Sequence, residues 1–219
     1  MNYSEALSFT FRDEQWLKKL GIGGLFNLLC WYAGLFFVLG FFVVGYYIGV
    51  LRNVMKGEER PLPDWSDLGK VFVDGLLGTI IAFLYLLVIG GISAALIVGI
   101  ANSYNMTDGE KAVWIVLVSL LTLFGLIIFI NYALMRFAAT ENFGAAFSLS
   151  GMARLLRSHL GDFLAISFFS LILNALLFLA GLGILSPFTN FWGLIIQAHL
   201  FGQCARTLDY ESRAAVQSA

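Results

Sequence analysis

Residues 20–51 read LGIGGLFNLLCWYAGLFFVLGFFVVGYYIGVL, a run of 32 residues without one Asp, Glu, Lys or Arg. As a single helix it would be about 48 Å long, against roughly 30 Å of hydrocarbon in a bilayer. It is too long for one upright span and short for two. Its division decides the fold, and the basic residues arbitrate, because Lys and Arg of short loops collect on the cytoplasmic side. With Leu20–Leu51 as a tight hairpin, arms Leu17 to Tyr32 and Gly34 to Val54, the cytoplasmic segments hold Arg12, Lys18, Lys19, Arg52, Lys56, Arg60, Lys70, Arg136, Arg154, Arg157, Arg206 and Arg213. Of the 13 basic residues only Lys111 then lies outside. With the run as one tilted helix, Arg12, Lys18 and Lys19 join Lys111 outside. The hairpin is therefore expected.

Three more charge-free runs flank this one: Gly75 to Thr107, Ala112 to Met135 and Phe163 to Ala205. The first and second each supply one span, with the polar segment Asn102 to Glu110 as a water-facing loop between them. The third is broken at Gly181-Leu182-Gly183 and Ser186-Pro187, where a helix is expected to stop, and reads as two spans. The 219 residues are 59% hydrophobic and 12% charged, the latter about half the share in a soluble domain. The expected class is an all-α integral membrane protein of six transmembrane helices arranged as three hairpins, each preceded by a short interfacial amphipathic helix. The units run about 8–57, 62–137 and 147–208, with a short cytoplasmic tail at 209–219 in one transmembrane domain. Both termini are expected in the cytoplasm.

The hairpins have the look of a repeat. Amphipathic stretches Phe11 to Leu20, Asp64 to Asp74 and Ser148 to Leu160 precede them. In the second, Trp65, Leu68 and Phe72 share one helical face, and Asp64 after Pro63 is a candidate N-cap. In the third, Leu149, Met152, Ala153, Leu156 and Leu160 repeat the spacing. The units end alike, with Tyr46, Tyr132 or His199 preceding Arg52, Arg136 or Arg206.

Several functional classes are excluded by what the chain lacks. A net charge of −1 argues against nucleic-acid binding. Cys30 and Cys204 sit in apolar runs and suggest neither a disulfide nor a metal site. The N-terminus has no basic region leading into an apolar core, so no cleaved signal peptide is expected. No zinc-protease, phosphate-loop, nucleophile-elbow or dinucleotide pattern occurs. An enzyme, a metal and a cofactor are therefore not expected. The partners expected are the lipid bilayer and other membrane subunits.

Three sets of residues merit attention. Asp74, His199 and Gln203 are ionisable or polar within or beside spans, where such groups are costly unless paired or wetted. With Asn27, Asn131, Asn174 and Gln197 they either line a polar cavity, or Asp74 stays at the interface and the amides make hydrogen bonds between helices. Arg52, Arg136 and Arg206 either hold an anionic headgroup at the cytoplasmic face or snorkel from helix ends. Gly45 and Gly49, and the series Gly91, Ala95 and Gly99, form stripes where another helix can approach closely.

The order Phe9-x-Phe11, Asp13, Trp16-Leu17-Lys18-Lys19, then Gly45-Tyr46 and Arg52-Asn53, then Leu62-Pro63-Asp64-Trp65-Ser66-Asp67-Leu68-Gly69 and Val73-Asp74-Gly75-Leu76, resembles a prokaryotic polytopic membrane family catalogued as domain of unknown function four-zero-one-three. Phe143-Gly144-Ala145-Ala146-Phe147 and His199-Leu200-Phe201-Gly202-Gln203 resemble its second half. The resemblance implies an inner-membrane protein, distantly similar to membrane domains attached to glycerophosphodiester phosphodiesterases, and transfers no catalytic residue. The expected role is that of a subunit or organiser of a membrane complex. The alternative is a small carrier or channel for a lipid or amphiphilic solute.

Overall fold

A computed structural model describes residues 1–32, 36–183 and 185–217. Among these there is no strand. Helix α1 (Tyr3–Ser8) runs into a 3-10 turn, Phe9–Arg12, and is followed by α2 (Trp16–Tyr32) and α3 (Phe36–Lys56). Next comes α4 (Leu68–Tyr85), which passes through a π turn, Leu86–Gly90, into α5 (Gly91–Ala101). After α6 (Asp108–Thr140) and a 3-10 turn, Phe143–Phe147, come α7 (Leu149–Ser158), α8 (Leu160–Ala180) and α9 (Ser186–Gln217). Four stretches are long and apolar enough to cross a membrane: Val38–Lys56, Leu68–Ala101, Asp108–Thr140 and Leu160–Ala180. The first hairpin's expected turn at Ala33, and the side chains of Leu149, Arg154, Leu156 and Arg213, lie outside the described residues.

Local chemistry accounts for most of the helix ends. Thr107 and Glu110 form a reciprocal capping box at the start of α6, which satisfies two otherwise orphaned backbone donors. Glu141, in the left-handed region, closes that helix. Gly57, at φ +77, takes the same role after α3, where the absence of a Cβ makes the conformation cheap. Between α8 and α9 the chain turns through Leu182 and Gly183, both with positive φ. The Ser186 hydroxyl accepts from Gly183 N–H at 3.1 Å and donates to Phe178 O at 3.0 Å. The break falls where the Gly-Leu-Gly and Ser-Pro steps place it, and Pro187 sits in the first turn of α9, where its missing N–H costs nothing.

Two expectations are corrected. Asp67, not Asp64, caps α4: its carboxylate accepts from Lys70 N–H at 2.9 Å. Asp64 is pulled away to pair with Lys19 at 2.8 Å. The stretches 11–20 and 64–74 are also not separate interfacial helices. Trp16 to Leu20 open α2 and Leu68 to Asp74 open α4, with Asp13, Lys19 and Asp74 paired inside the protein. Only the third stretch, as α7, is a helix of its own before its hairpin, while α1 takes the corresponding place before the first.

Residues 20–51 are divided between two antiparallel helices: Phe26 of α2 stacks on Phe42 of α3 at 4.7 Å, and Cys30 faces Gly40. α3 and α9 form the centre. α3 touches α2, α4, α6 and α9, and α9 touches α1, α2, α3, α6 and α8. The closest approach is between α3 and α4 at Gly45 and Gly75. A Cβ on Gly45 would strike Val71 O, and one on Gly75 would strike Phe41 O. By contrast α5 packs along the first half of α6, joined by Thr122 donating to Ser93 at 2.6 Å. Outside that seam the pair is covered by exposed apolar side chains such as Leu87, Ile92, Val98, Val116 and Leu121.

Replacing Gly45 or Gly75 by Leu is expected to force α3 and α4 apart and lower stability by roughly 1–3 kcal/mol or more, the cost of overpacking. Thermal unfolding followed by fluorescence-detected size exclusion checks it. Gly91→Leu, which meets nothing within 4 Å, is the control and should leave the midpoint unchanged.

Candidate functional site

The functional candidates gather at the end of the bundle where α3 and α6 finish and α4 begins. In the segment Pro61-Leu62-Pro63 two prolines supply no N–H, leaving carbonyls that must find donors from elsewhere. Three successive carbonyls are met by three side chains: Asn53 donates to Pro61 O at 3.1 Å, Lys19 to Leu62 O at 2.9 Å and Tyr46 to Pro63 O at 3.1 Å. Lys19 also pairs with Asp13 and Asp64, both at 2.8 Å. Trp65 stacks on Tyr46 at 4.5 Å and its indole N–H donates to Lys19 O. The most distinctive motif of the sequence is thus a latch between the first two hairpins. Burial alone would raise the Asp13 carboxyl, but the Lys19 ammonium and the Gln15 N–H outweigh it and hold Asp13 below its ordinary value.

Arg52 makes a second joint. Its Nη1 lies 2.8 Å from Asp74 and its Nε 3.1 Å from Glu141 and 3.3 Å from Ala138 O. The Arg52 side chain is 8% exposed and that of Asp74 14%, so this pair is desolvated and ties α3, α4 and the end of α6 together. The Arg52 guanidinium, followed by the Lys70 ammonium, holds Glu141 below the ordinary carboxylate range. The three arginines that the sequence placed at similar points consequently have three environments. Arg52 is engaged by carboxylates, Arg136 is half-buried with an unpartnered Nε, and Arg206 is exposed at the rim of a cavity.

That cavity, about 440 Å³, opens between the N-terminal segment, the loop after α3 and α9. His199, 5% exposed, contributes to its wall. Phe9 stacks on the imidazole at 4.1 Å, and the Gln203 amide lies 3.2 Å from Nδ1. Gln203 is itself fixed by the backbone of Asn2, which donates to it at 2.9 Å. Glu5, Arg12, Glu58, Glu59 and Arg60 complete a strongly charged lining. His199 and Gln203 therefore belong together, while Asp74 is joined to Arg52 and is absent from this lining.

The amides fall into two interhelical clusters. Asn131 accepts from Tyr47 at 2.6 Å and from Gln197 at 3.4 Å, linking α6, α3 and α9. Asn27 donates to Pro187 O at 2.8 Å and to Asn190 at 3.4 Å, and Asn190 donates to Asn174, linking α2, α9 and α8. These are the hydrogen bonds between helices that the sequence left as one of two readings, worth about 1 kcal/mol each in a membrane. Of the small residues, Gly45 faces Val71 and Gly75, and Gly49 faces the Pro63 ring. Gly91 and Gly99 have nothing within 4 Å, and Ala95 is exposed. Sequence reasoning missed the Asp13–Lys19–Asp64 triad and the carboxylates Glu58 and Glu59. The proline-flanked loop was the signal for the triad, since its carbonyls have to be paid for by donors.

Arg52→Met is expected to cost about 3–5 kcal/mol, because it strands the buried Asp74 carboxylate, and Asp74→Asn less, because Arg52 keeps Glu141. Arg52→Met combined with Asp74→Leu should recover much of that loss, as read from thermal midpoints in detergent. Acid should act through Glu141 and Asp13. Both carboxyls lie below their ordinary values of 4.5 and 3.8, so their contribution is complete above those values and is lost as pH falls through the depressed ones. Midpoints measured as a function of pH should be flat near neutrality and drop below about pH 5, less steeply in Glu141→Gln.

No curated protein and no solved structure matches the chain. The profile of a family described as "Protein of unknown function (DUF4013)" matches residues 28–186. That range takes in α3 to α8, with the Arg52–Asp74 joint and the Pro63-Asp64-Trp65 segment inside it and Asp13 and Lys19 before it, and the chain belongs to this family.

Proposed function

We propose that the protein is a multi-pass inner-membrane component without catalytic activity of its own, acting as a subunit or organiser of a membrane complex. In this reading α2 and α9 join the four long apolar stretches to make six spans in three hairpins, with both termini cytoplasmic. The observation that carries it is the arm formed by α5 and the first half of α6. In it α5 packs on α6, and the arm buries little of its own surface and presents Gly91, Ala95 and Gly99 on an exposed face. In lipid, helices associate through close packing and polar contacts rather than through a hydrophobic driving force. An exposed face of small residues therefore suits a neighbouring helix.

Native mass spectrometry of the protein released gently from its own membrane tests this. A defined complex is expected in the wild type and loss of the partner mass in Gly91→Leu/Ala95→Leu. A monomer in both overturns the subunit reading. Topology is checked by cysteine labelling in a background where Cys30 and Cys204, both buried, are replaced by Ala. Cysteines at Ser66 and Ser150 should react from the cytoplasmic side, and one at Gly109 from the outside. Labelling of all three from one side overturns the six-span arrangement.

A further inference from the structure

The cavity beside His199 carries charges of both signs that do not neutralise each other. Arg12 is paired with Glu5 at 3.4 Å and Arg60 with Glu14 at 3.0 Å. Among the described residues, Glu58, Glu59 and Arg206 have no ion pair, although all three border the same space of about 440 Å³. The Arg206 guanidinium lies over Gly57, where a Cβ would come within 3.2 Å of Cζ and both Nη atoms. Gly57 directly follows α3, so the cation lies at that helix's C-terminal end, whose partial charge is negative.

The same wall holds His199, with Phe9 on its face and the Gln203 amide at Nδ1. The Gln203 amide N–H can donate to Nδ1 in the tautomer that carries its proton on Nε2, and in that tautomer His199 is a donor. A guanidinium and an imidazole N–H suit a phosphate, as charge-assisted hydrogen bonds to phosphate oxygens are strong and geometrically specific. Two unpaired carboxylates suit an ammonium group. The volume falls in the range of small-ligand sites.

We propose that this cavity binds a phosphate linked through a short chain to a primary ammonium, with Arg206 and His199 on the phosphate and Glu58 and Glu59 on the ammonium. Two sources carry that chemistry: the headgroup of an ethanolamine phospholipid in the cytoplasmic leaflet, and a soluble phosphoethanolamine. The site is independent of whether the chain joins a complex.

Purified full-length protein is placed in nanodiscs of phosphatidylcholine doped with phosphatidylethanolamine or phosphatidylglycerol, and lipid retention is read by native mass spectrometry alongside thermal midpoints. The ethanolamine lipid should be retained in preference to the other two. Arg206→Gln should lower retention at least about tenfold, and Glu58→Gln/Glu59→Gln should shift the preference toward phosphatidylglycerol. These side chains are exposed, so midpoints in lipid-free detergent should be unchanged. Displacement of the lipid by soluble phosphoethanolamine at low concentration, or stabilisation by it in detergent, would assign the same site to the soluble source. Equal retention of the three lipids with no stabilisation by phosphoethanolamine would overturn the proposal, as would variants that bind like the wild type.

Discussion

One buried guanidinium joins three helices. Arg52 leaves α3, takes a carboxylate from α4, and reaches a carbonyl and a carboxylate at the end of α6. In water such a pair would add little, because desolvation offsets most of its attraction. Beside a bilayer the balance differs, since lipid chains are as apolar as leucine and burying apolar surface between helices gains little over leaving it in lipid. Helices must then be held by contacts lipid cannot offer. The Arg52 joint, the Lys19 latch and the two amide clusters are contacts of that kind, and they lie where α3 and α9 meet their neighbours.

This reverses the usual relation between hydrophobicity and depth in the structure. The most apolar helices, α4–α5, the first half of α6, and α8, stand outermost, with Phe83, Leu96, Leu121 and Leu176 exposed. The central α9 carries Asn190, Gln197, His199 and Gln203, and falls short of the composition that marks a membrane-crossing helix. Its polar residues are what give it partners on α1, α2, α6 and α8. Glycines complete the arrangement by letting helices close to backbone contact, Gly45 on Gly75 and Gly202 on Val54 and Leu51.

The same reversal explains what could be read from the sequence. Charge-free runs locate helices because charge is costly in hydrocarbon whatever the helix touches, so the division of residues 20–51 and the break at Gly181 to Pro187 were legible. Partners were not. Asp64 has the local surroundings of an N-cap, but its carboxylate goes to Lys19, 45 positions earlier in the chain, and no local rule contains that contact. Arg52, Arg136 and Arg206 occupy similar points of the sequence, yet their surroundings are set by Asp74, by the packing at the end of α6, and by Gly57. The amides Asn27 and Asn131 were visible as polar residues in apolar runs, while their pairing depends on which helices become neighbours.

The π turn at Leu86–Gly90 has a consequence for phase. A single-residue insertion absorbed in a helix rotates everything beyond it by about 100° relative to an uninterrupted α-helix. Beyond this turn Ser93 faces α6 and meets Thr122. In an unbroken helix Ile92 would hold that angular position, and the hydroxyl would be turned out of the seam into lipid. The turn thus lets one rod present two differently phased faces, the first matched to α3 and the second to α6.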